Sequence, residues 1–375
     1  AAADEQAYEA WPMVHRPLPW EFEENKVALR GGYLKAHSGK YTKLIRNNRG
    51  TVPSENALKA LHNMQNQPFT LNHFVYGVMK ELLKTSVEIG RFRTFEKDSW
   101  DAKNDPRPFL DPAVWDQKYD KNRNILPEYK KALAILENWH ANREVAKKER
   151  VSPFRVLMVA ARFANVERFY LPTYFDSRLR MYYMPDTLNP QGCDYQKALL
   201  LYADGNPVTD DNWEAVRRDL LVTIANTWSQ KTESGVKSDK LSMDGRIAFS
   251  ADFIKDLDVV ARDPMASAAR AIWEHADEPF QFLATVREYF EIFVWKTSTV
   301  ARVANGRDAT NSGSQILGAL IRDPKTCFYT NVIPTESPQD LYGVVAKEAQ
   351  GYLNNFHWVS EQEKKAQKRA KKKME

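Results

Sequence analysis

Cysteine is close to absent: Cys193 and Cys327 are the only two in 375 residues. Such a pair rules out a disulfide framework and fits a reducing cytoplasm. Long apolar runs are missing as well, none approaching the roughly 20 residues of a membrane-spanning helix, so no membrane is expected as a partner. The opening Ala-Ala-Ala-Asp-Glu-Gln has neither a basic stretch nor an apolar core, so no signal peptide is expected there. An excess of one charge is also lacking. The formal net charge is +5, and residues 361–375 alone hold seven Lys or Arg against three Glu. The rest is close to neutral, so nucleic-acid contact would rest on basic residues gathered in a groove. The Lys-rich tail reads equally as a solvated helix end and as an arm that touches phosphates.

What is present is the composition of a folded chain. Aromatic residues make up 12% and charged residues 27%, which places the chain outside the disordered class. Its length allows two or three sub-domains. Residues 56–84 are strongly helical by pattern: Leu58, Leu61, Met64 and Gln65 form one stripe, and Phe69, Leu71, Phe74, Val75, Val78, Met79, Leu82 and Leu83 another. Residues 97–126 read as a long Pro-broken loop. Residues 128–150 and 152–164 read as two helices, the second opened by Ser152 and Pro153 as cap and first helical residue. Residues 204–207 read as a turn. Three helices are predicted at 212–228, 252–260 and 265–294, with a polar loop at 231–246. The fold class expected is α+β, mainly α-helical.

The stretch that organises the rest is residues 304–323. An apolar-leaning run, residues 299–304, leads into it, and small polar residues follow Asp308. Ile316, Leu317, Leu320 and Ile321 then fall at helical spacing, which predicts one buried helix face, capped by Ser312 or Ser314. Asp308 therefore lies where a strand gives way to a turn and a helix. A carboxylate there is either an ordinary cap or a seat for a hard cation such as Mg²⁺. A second chemical pattern is Arg178 and Arg180 alternating with Leu179 and Met181. On a strand, both guanidinium groups would point to one face and hold successive phosphates, with Asp176 orienting one of them. A structural Arg–Asp pair at a strand edge is the other reading.

These strings resemble the single-subunit RNA polymerases, the phage and mitochondrial transcriptases. In that family's motif A an Asp at the end of a palm strand precedes Gly-Ser-x-Ser-Gly-x-Gln and a helix ending in Arg-Asp. Asp308, Thr310, Ser312, Gly313, Gln315, Arg322 and Asp323 take the matching places, and residues 331–347 continue the similarity without a gap. Residues 169–183 resemble the DxxGR motif, with Leu179 where the family has Gly. Residues 188–197 are similar to Asn-Pro-Gln-Gly-x-Asp-x-x-Lys. Residues 61–72 resemble the family's Leu-Asn-x-x-Gln-x-Thr-x-Trp-x-Ile-Asn segment, with Phe69 in place of Trp. Trp273, Pro279, Phe280, Leu283 and Glu288 resemble the helix before motif A. The similarity covers about residues 55–353.

The resemblance implies a partial right-hand polymerase fold. Residues 1–84 would be an N-terminal helical region and 85–165 a thumb. Residues 166–204 with 299–324 would form half of the palm, with 205–298 as a helical palm insertion. Residues 325–375 would be the start of the fingers and a basic tail. It implies that Asp308, with the carbonyl of Ala309, binds Mg²⁺, and that Tyr342 packs near the incoming nucleotide as a second catalytic residue. Asp176, Arg178, Arg180, Lys197 and Gln315 would contact nucleic acid. The implied reaction is nucleotidyl transfer, an RNA 3′-oxygen attacking an α-phosphate, with DNA template, RNA transcript and nucleoside triphosphates as partners. The family's site also needs a His-Asp pair and a fingers helix carrying Lys and Tyr-Gly. The sequence has no His-Asp dipeptide, and no fingers pattern follows Asp308. One carboxylate does not hold two cations roughly 4 Å apart. The expectation is one chain of a split, two-subunit phage polymerase, acting in the cytoplasm of an infected bacterium. Its partner would bring the fingers and the other catalytic Asp. The alternative is a non-catalytic nucleic-acid-binding derivative of the fold.

Overall fold

The computed structural model describes residues 10–22, 28–32, 53–94, 114, 118–121, 123–176, 180–306, 311–335 and 338–354. The chain divides into two compact units: Ala1–Asp239 with Gly245–Asn305, and Lys240–Asp244 with Gly306–Glu375. The fold is α+β and mainly helical, as expected. Among the described residues no helix is long and apolar enough to cross a membrane.

The first unit begins with an antiparallel pair, β1 (Leu18–Phe22) and β2 (Ala28–Gly32). Helix α1 (Glu55–Asn66) follows, capped by the Ser54 hydroxyl. Then comes β3 (Pro68–Leu71), and α2 (His73–Lys84), whose first turn is capped by Asn72 accepting the Val75 N–H at 3.2 Å. The stripe read as helical from Phe69 onward is thus a strand first. Pro68 and Gln67 break the helix, and Phe69 and Leu71 alternate inward on the strand. Helix α3 (Pro127–Phe163) runs without interruption through Pro153, where two helices were expected. An inward face of Val156, Leu157, Val159, Ala160 and Phe163 holds that second half against the core. Burying each large side chain contributes roughly 1.5–3 kcal/mol, which offsets the proline's cost of about 3 kcal/mol.

Strands β4 (Phe169–Tyr170), β5 (Thr173–Phe175) and β6 (Met181–Tyr183) lead to a short helix, α4 (Asp194–Ala198), and then β7 (Leu200–Pro207). Residues 204–207, read as a turn, lie within β7, where Gly205 takes φ 64° in a bulge. Helices α5 (Trp213–Trp228), α6 (Met243–Phe253), α7 (Asp258–Arg262), α8 (Ser267–Trp273) and α9 (Pro279–Tyr289) follow, the last continued by a π-turn, Phe290–Val294. Strand β8 (Val300–Val303) closes an antiparallel sheet of order β4-β3-β7-β8. Phe69, Leu171, Trp273, Phe280 and Phe282 are among the side chains that fill the core beside it.

In the second unit, α10 (Ser312–Ile321) and α11 (Pro324–Tyr329) pack closely. A side chain at Gly318 would lie 2.9 Å from Thr326 Cγ2, so only glycine fits there without displacement. Helix α12 (Leu341–Asn354) completes it. The predicted apolar face of α10 is present but not buried. Ile316, Leu317, Leu320 and Ile321 are 57–76% exposed. The helix turns its glycine side, not its aliphatic side, to α11. Its N-terminus is not capped by Ser312 or Ser314 either; the cap position is Asn311, in the left-handed region at φ 62°.

Candidate nucleic-acid and metal site

The arginine motif forms a hairpin. Strands β5 and β6 pair antiparallel, Thr173 with Tyr183 and Phe175 with Met181. The turn is closed from both ends: Asp176 N–H donates to the Arg180 carbonyl at 2.9 Å, and Arg180 N–H donates to Asp176 Oδ1 at 2.9 Å. Arg180 is therefore a turn residue with an exposed side chain, and Asp176 orients its backbone. Arg178 lies outside the described residues.

The Asn-Pro-Gln-Gly string spends its polar side chains on its own backbone. Asn189 donates to the Pro185 carbonyl at 2.8 Å and accepts the Gln191 N–H at 2.8 Å. Gln191 acts as a substitute strand for β6, accepting from Tyr183 N–H at 3.1 Å and donating to the Met181 carbonyl at 3.0 Å. Gly192 is required by close approach, since a Cβ there would overlap Gln196 Oε1 at 1.8 Å. Gln196 in turn ties Cys193 to Asp186. These bonds close the loop on itself, and it leads directly into α4 and Lys197. The Lys197 ammonium lies 3.8 Å from Glu278, with both side chains a third or more exposed. A pair at that distance leaves the cation usable by a phosphate.

Two buried carboxylates stand behind this surface. Asp194 accepts the first free N–H groups of α9, from Phe280 at 2.8 Å and Gln281 at 2.9 Å. Burial pushes its carboxyl up to about 6, against the pull of those donors. Glu288, on α9, accepts from Arg302 and Val303 of β8, and burial pushes it up to about 7. Neither role is evident from local sequence for Asp194, whose partners lie 86 and 87 residues away. For Glu288 a signal exists: it falls among Leu283, Ala284, Val286 and Tyr289 on a helix buried almost all round. A charge at such a position requires partners.

In the second unit, Gln315 donates to the Thr330 carbonyl at 2.7 Å, which joins the start of α10 to the end of α11. Among the described residues its side-chain oxygen has no donor. Asp323 caps α11 through the N–H groups of Lys325 and Thr326 and the Thr326 hydroxyl, and these donors hold its carboxyl below the usual carboxylate range. Asn331 brackets Gln339, donating to its carbonyl at 2.9 Å and accepting its N–H at 2.7 Å. This places the start of α12 and Tyr342, which is 63% exposed on it. Asp308 and Ala309 lie outside the described residues. Among the described residues no group of three or more His, Cys, Asp or Glu is arranged to hold a metal ion. A carboxylate and a backbone carbonyl suit a hard cation by donor type but fill only part of its shell.

Residues 218–375 match the family model described as DNA-dependent RNA polymerase. The DNA-directed RNA polymerase of Enterobacteria phage T3 is 28% identical over 350 residues, covering 91% of this chain and 35% of the relative. T7 RNA polymerase of Escherichia phage T7 is 26% identical with the same coverage. The DNA-directed RNA polymerase 2 of Arabidopsis thaliana, chloroplastic/mitochondrial, is 27% identical over 89% of this chain and 31% of its own length. The chain thus spans about a third of the relatives it matches.

Proposed function

We propose that this chain, a relative of the phage and organellar DNA-directed RNA polymerases that carries a domain of that family at residues 218–375, supplies the first metal-binding Asp and the hybrid-binding surface of such an enzyme. The observation that carries the reading is the order of parts within the matched region. A strand, β8, runs toward Asp308, and α10 follows with Gln315, Arg322 and Asp323 in the family's places. Asn331 then sets the helix that bears Tyr342.

Asp308 and the Ala309 carbonyl hold Mg²⁺ in this reading. When bound, the cation neutralises charge on the reacting phosphate oxygens. Tyr342 packs beside the incoming nucleotide. Arg178, Arg180 and Lys197 neutralise phosphates of the template–transcript hybrid, Asp176 sets the turn that aims the arginines, and Gln315 offers its free oxygen to nucleic acid. The second catalytic Asp and the fingers come from polypeptide outside these 375 residues, and we favour a second chain encoded by the same phage. The exposed aliphatic face of α10 supports a further polypeptide there, because an uncharged helix with that face in water is marginal alone.

The test is extension of a primed template with saturating nucleotides and Mg²⁺. The purified chain is expected to be inactive, and the assembly recovered through a tag on it from infected cells is expected to be active. Activity of the single chain overturns the two-chain reading. An inactive assembly that still binds hybrid tightly would favour the non-catalytic derivative.

A further inference from the structure

We propose that Glu278 is the resting counter-ion of Lys197: it holds the ammonium weakly, and a nucleic-acid phosphate displaces it. The proposal rests on the polymerase reading above, in which Lys197 contacts the hybrid. Glu278 stands immediately before α9, at the position from which a side chain usually caps a helix. It makes no such bond. The first-turn donors are already taken. Pro279 has no N–H, Phe282 N–H donates to the Glu278 carbonyl at 2.9 Å, and Asp194 accepts the N–H groups of Phe280 and Gln281. The capping task has thus passed to Asp194 on α4. The Glu278 carboxylate is left for Lys197, its one charged partner among the described residues.

Both residues rise from anchored backbone. The N–H groups of Glu278 and Asp277 donate to the carbonyls of Thr227 and Trp228 at the end of α5, at 3.0 and 3.1 Å. Helix α4 is tied at its start by Asp194, and again through Tyr195, whose hydroxyl lies 2.9 Å from Ser152 Oγ. The gap between the Lys197 ammonium and the Glu278 carboxylate is nevertheless 3.8 Å, beyond hydrogen-bond reach. Two other lysine pairs, Lys84–Glu81 and Lys255–Asp252, close to 2.7 and 2.6 Å although their side chains are more exposed. Lys197 and Glu278 therefore attract each other without the charge-assisted bond that would lock them. Such a pair is worth little in water, so a phosphate that offers hydrogen bonds as well as charge wins the ammonium. The carboxylate stays close by, and each phosphate contact is made against a competing charge. Glu278 thereby sets how tightly Lys197 grips, and it touches no nucleic acid itself.

The test measures binding of a short RNA–DNA hybrid to the full chain across a salt series, for Glu278→Gln, Lys197→Ala and the double variant. Glu278→Gln should bind about two- to fivefold more tightly at low salt, the worth of one exposed ion pair expressed as a ratio. The gain should shrink as rising salt screens the pair. Lys197→Ala should lower the log–log slope by about 0.9, and in that background Glu278→Gln should change nothing. If Lys197→Ala lowers the slope and Glu278→Gln does not tighten binding, this proposal alone fails. It also fails if Glu278→Gln tightens binding equally without Lys197, because the carboxylate then repels phosphate directly. A parental slope in Lys197→Ala takes Lys197 out of the hybrid surface, which removes that part of the polymerase reading and the proposal with it. Thermal melting checks that the variants fold, with Glu278→Ala as the second variant. If neither Glu278 variant folds, Glu278 is a stability residue and the proposal is overturned.

Discussion

Asp194 and Gln281 meet across 87 residues of sequence, one carboxylate oxygen accepting both the backbone N–H of Gln281 at 2.9 Å and its side-chain amide at 3.0 Å. The other oxygen takes the N–H of Phe280. The first turn of α9 has no cap from its own flank, since the residue before it, Glu278, makes no side-chain cap bond. Asp194, the first residue of α4, therefore supplies the missing acceptors, and a negative charge there also suits the helix dipole. The Asp of the family-like Gln-Gly-Cys-Asp string is a strut between the start of α4 and the start of α9.

Asp194→Ala should consequently cost roughly 2–3 kcal/mol of stability, the range for a buried charged acceptor removed from two N–H donors. Asp194→Asn should cost less, because one acceptor oxygen survives. Urea denaturation of the three proteins checks this. Equal midpoints for alanine variant and parent would mean that α9 is held by its buried apolar face alone.

How much of this was open to sequence reading depends on the range of the interaction. Local patterns were legible: the helical pattern of residues 56–66, the strand ending in Val303 ahead of Asp308, and the helical spacing of α10 all appear where the sequence puts them. Burial was less so. Helical spacing in α10 states that four aliphatic residues share a face, not that anything covers it. Pro153 was read as a helix start because proline is favoured there, whereas buried side chains on either side of it carry α3 straight through. Asp194 and Glu288 act on backbone far away in sequence, or on a ladder gap that only the bulge at Gly205 creates. Asn189 and Gln191 match the family's Asn-Pro-Gln-Gly string, yet their amides serve the loop itself.

Asp194 and Glu288 also predict a pH dependence. In each, burial raises the folded-state value above that of the unfolded chain, to about 6 from 3.8 and to about 7 from 4.5. The native state then keeps its proton longer than the unfolded state. The stability of these groups is full below about pH 4, declines as pH rises, and is lost once pH passes the folded-state value. For Glu288 the whole decline amounts to about 3 kcal/mol. The melting temperature of the parent should fall between pH 5 and pH 7.5, and Glu288→Gln should fall less over the same window. Parallel curves for the two proteins would show that Glu288 titrates normally.

For the hairpin, Arg178→Ala and Arg180→Ala should weaken binding of an RNA–DNA hybrid and flatten its salt dependence. Each lost phosphate contact should lower the log–log slope by about 0.9 on a duplex, and by less on single strands. Because Arg180 is an exposed turn residue whose backbone, not side chain, closes the turn, its variant should fold as the parent does. Binding measured across a salt series decides the matter. Parental slopes in both variants would make these arginines structural.

Asp308→Asn separates the catalytic reading from the capping one. The substitution keeps size and an acceptor oxygen but removes the charge that a hard cation requires. If Asp308 is a metal ligand and not a cap or an ion-pair partner, the melting temperature should change little, because the charge then serves the cation and not the fold. Nucleotide incorporation by the assembled enzyme should fall by orders of magnitude, since the cation stabilises both attacking and leaving oxygens. The sequence contains a competitor for that carboxylate: Asn305, Gly306 and Arg307 precede it where the family runs apolar residues. Asn305 is already engaged, its amide donating to both oxygens of Asp219 at 3.2 and 3.1 Å, so it does not compete. Arg307 is the remaining candidate, and Arg307→Ala tests it. A structural pair predicts that Arg307→Ala and Asp308→Asn both melt early and both leave incorporation intact. A metal site predicts the reverse for Asp308→Asn, with normal melting and lost incorporation, whatever Arg307→Ala does. An Asp308→Asn variant that melts early yet still incorporates nucleotides would remove Asp308 from the catalytic site.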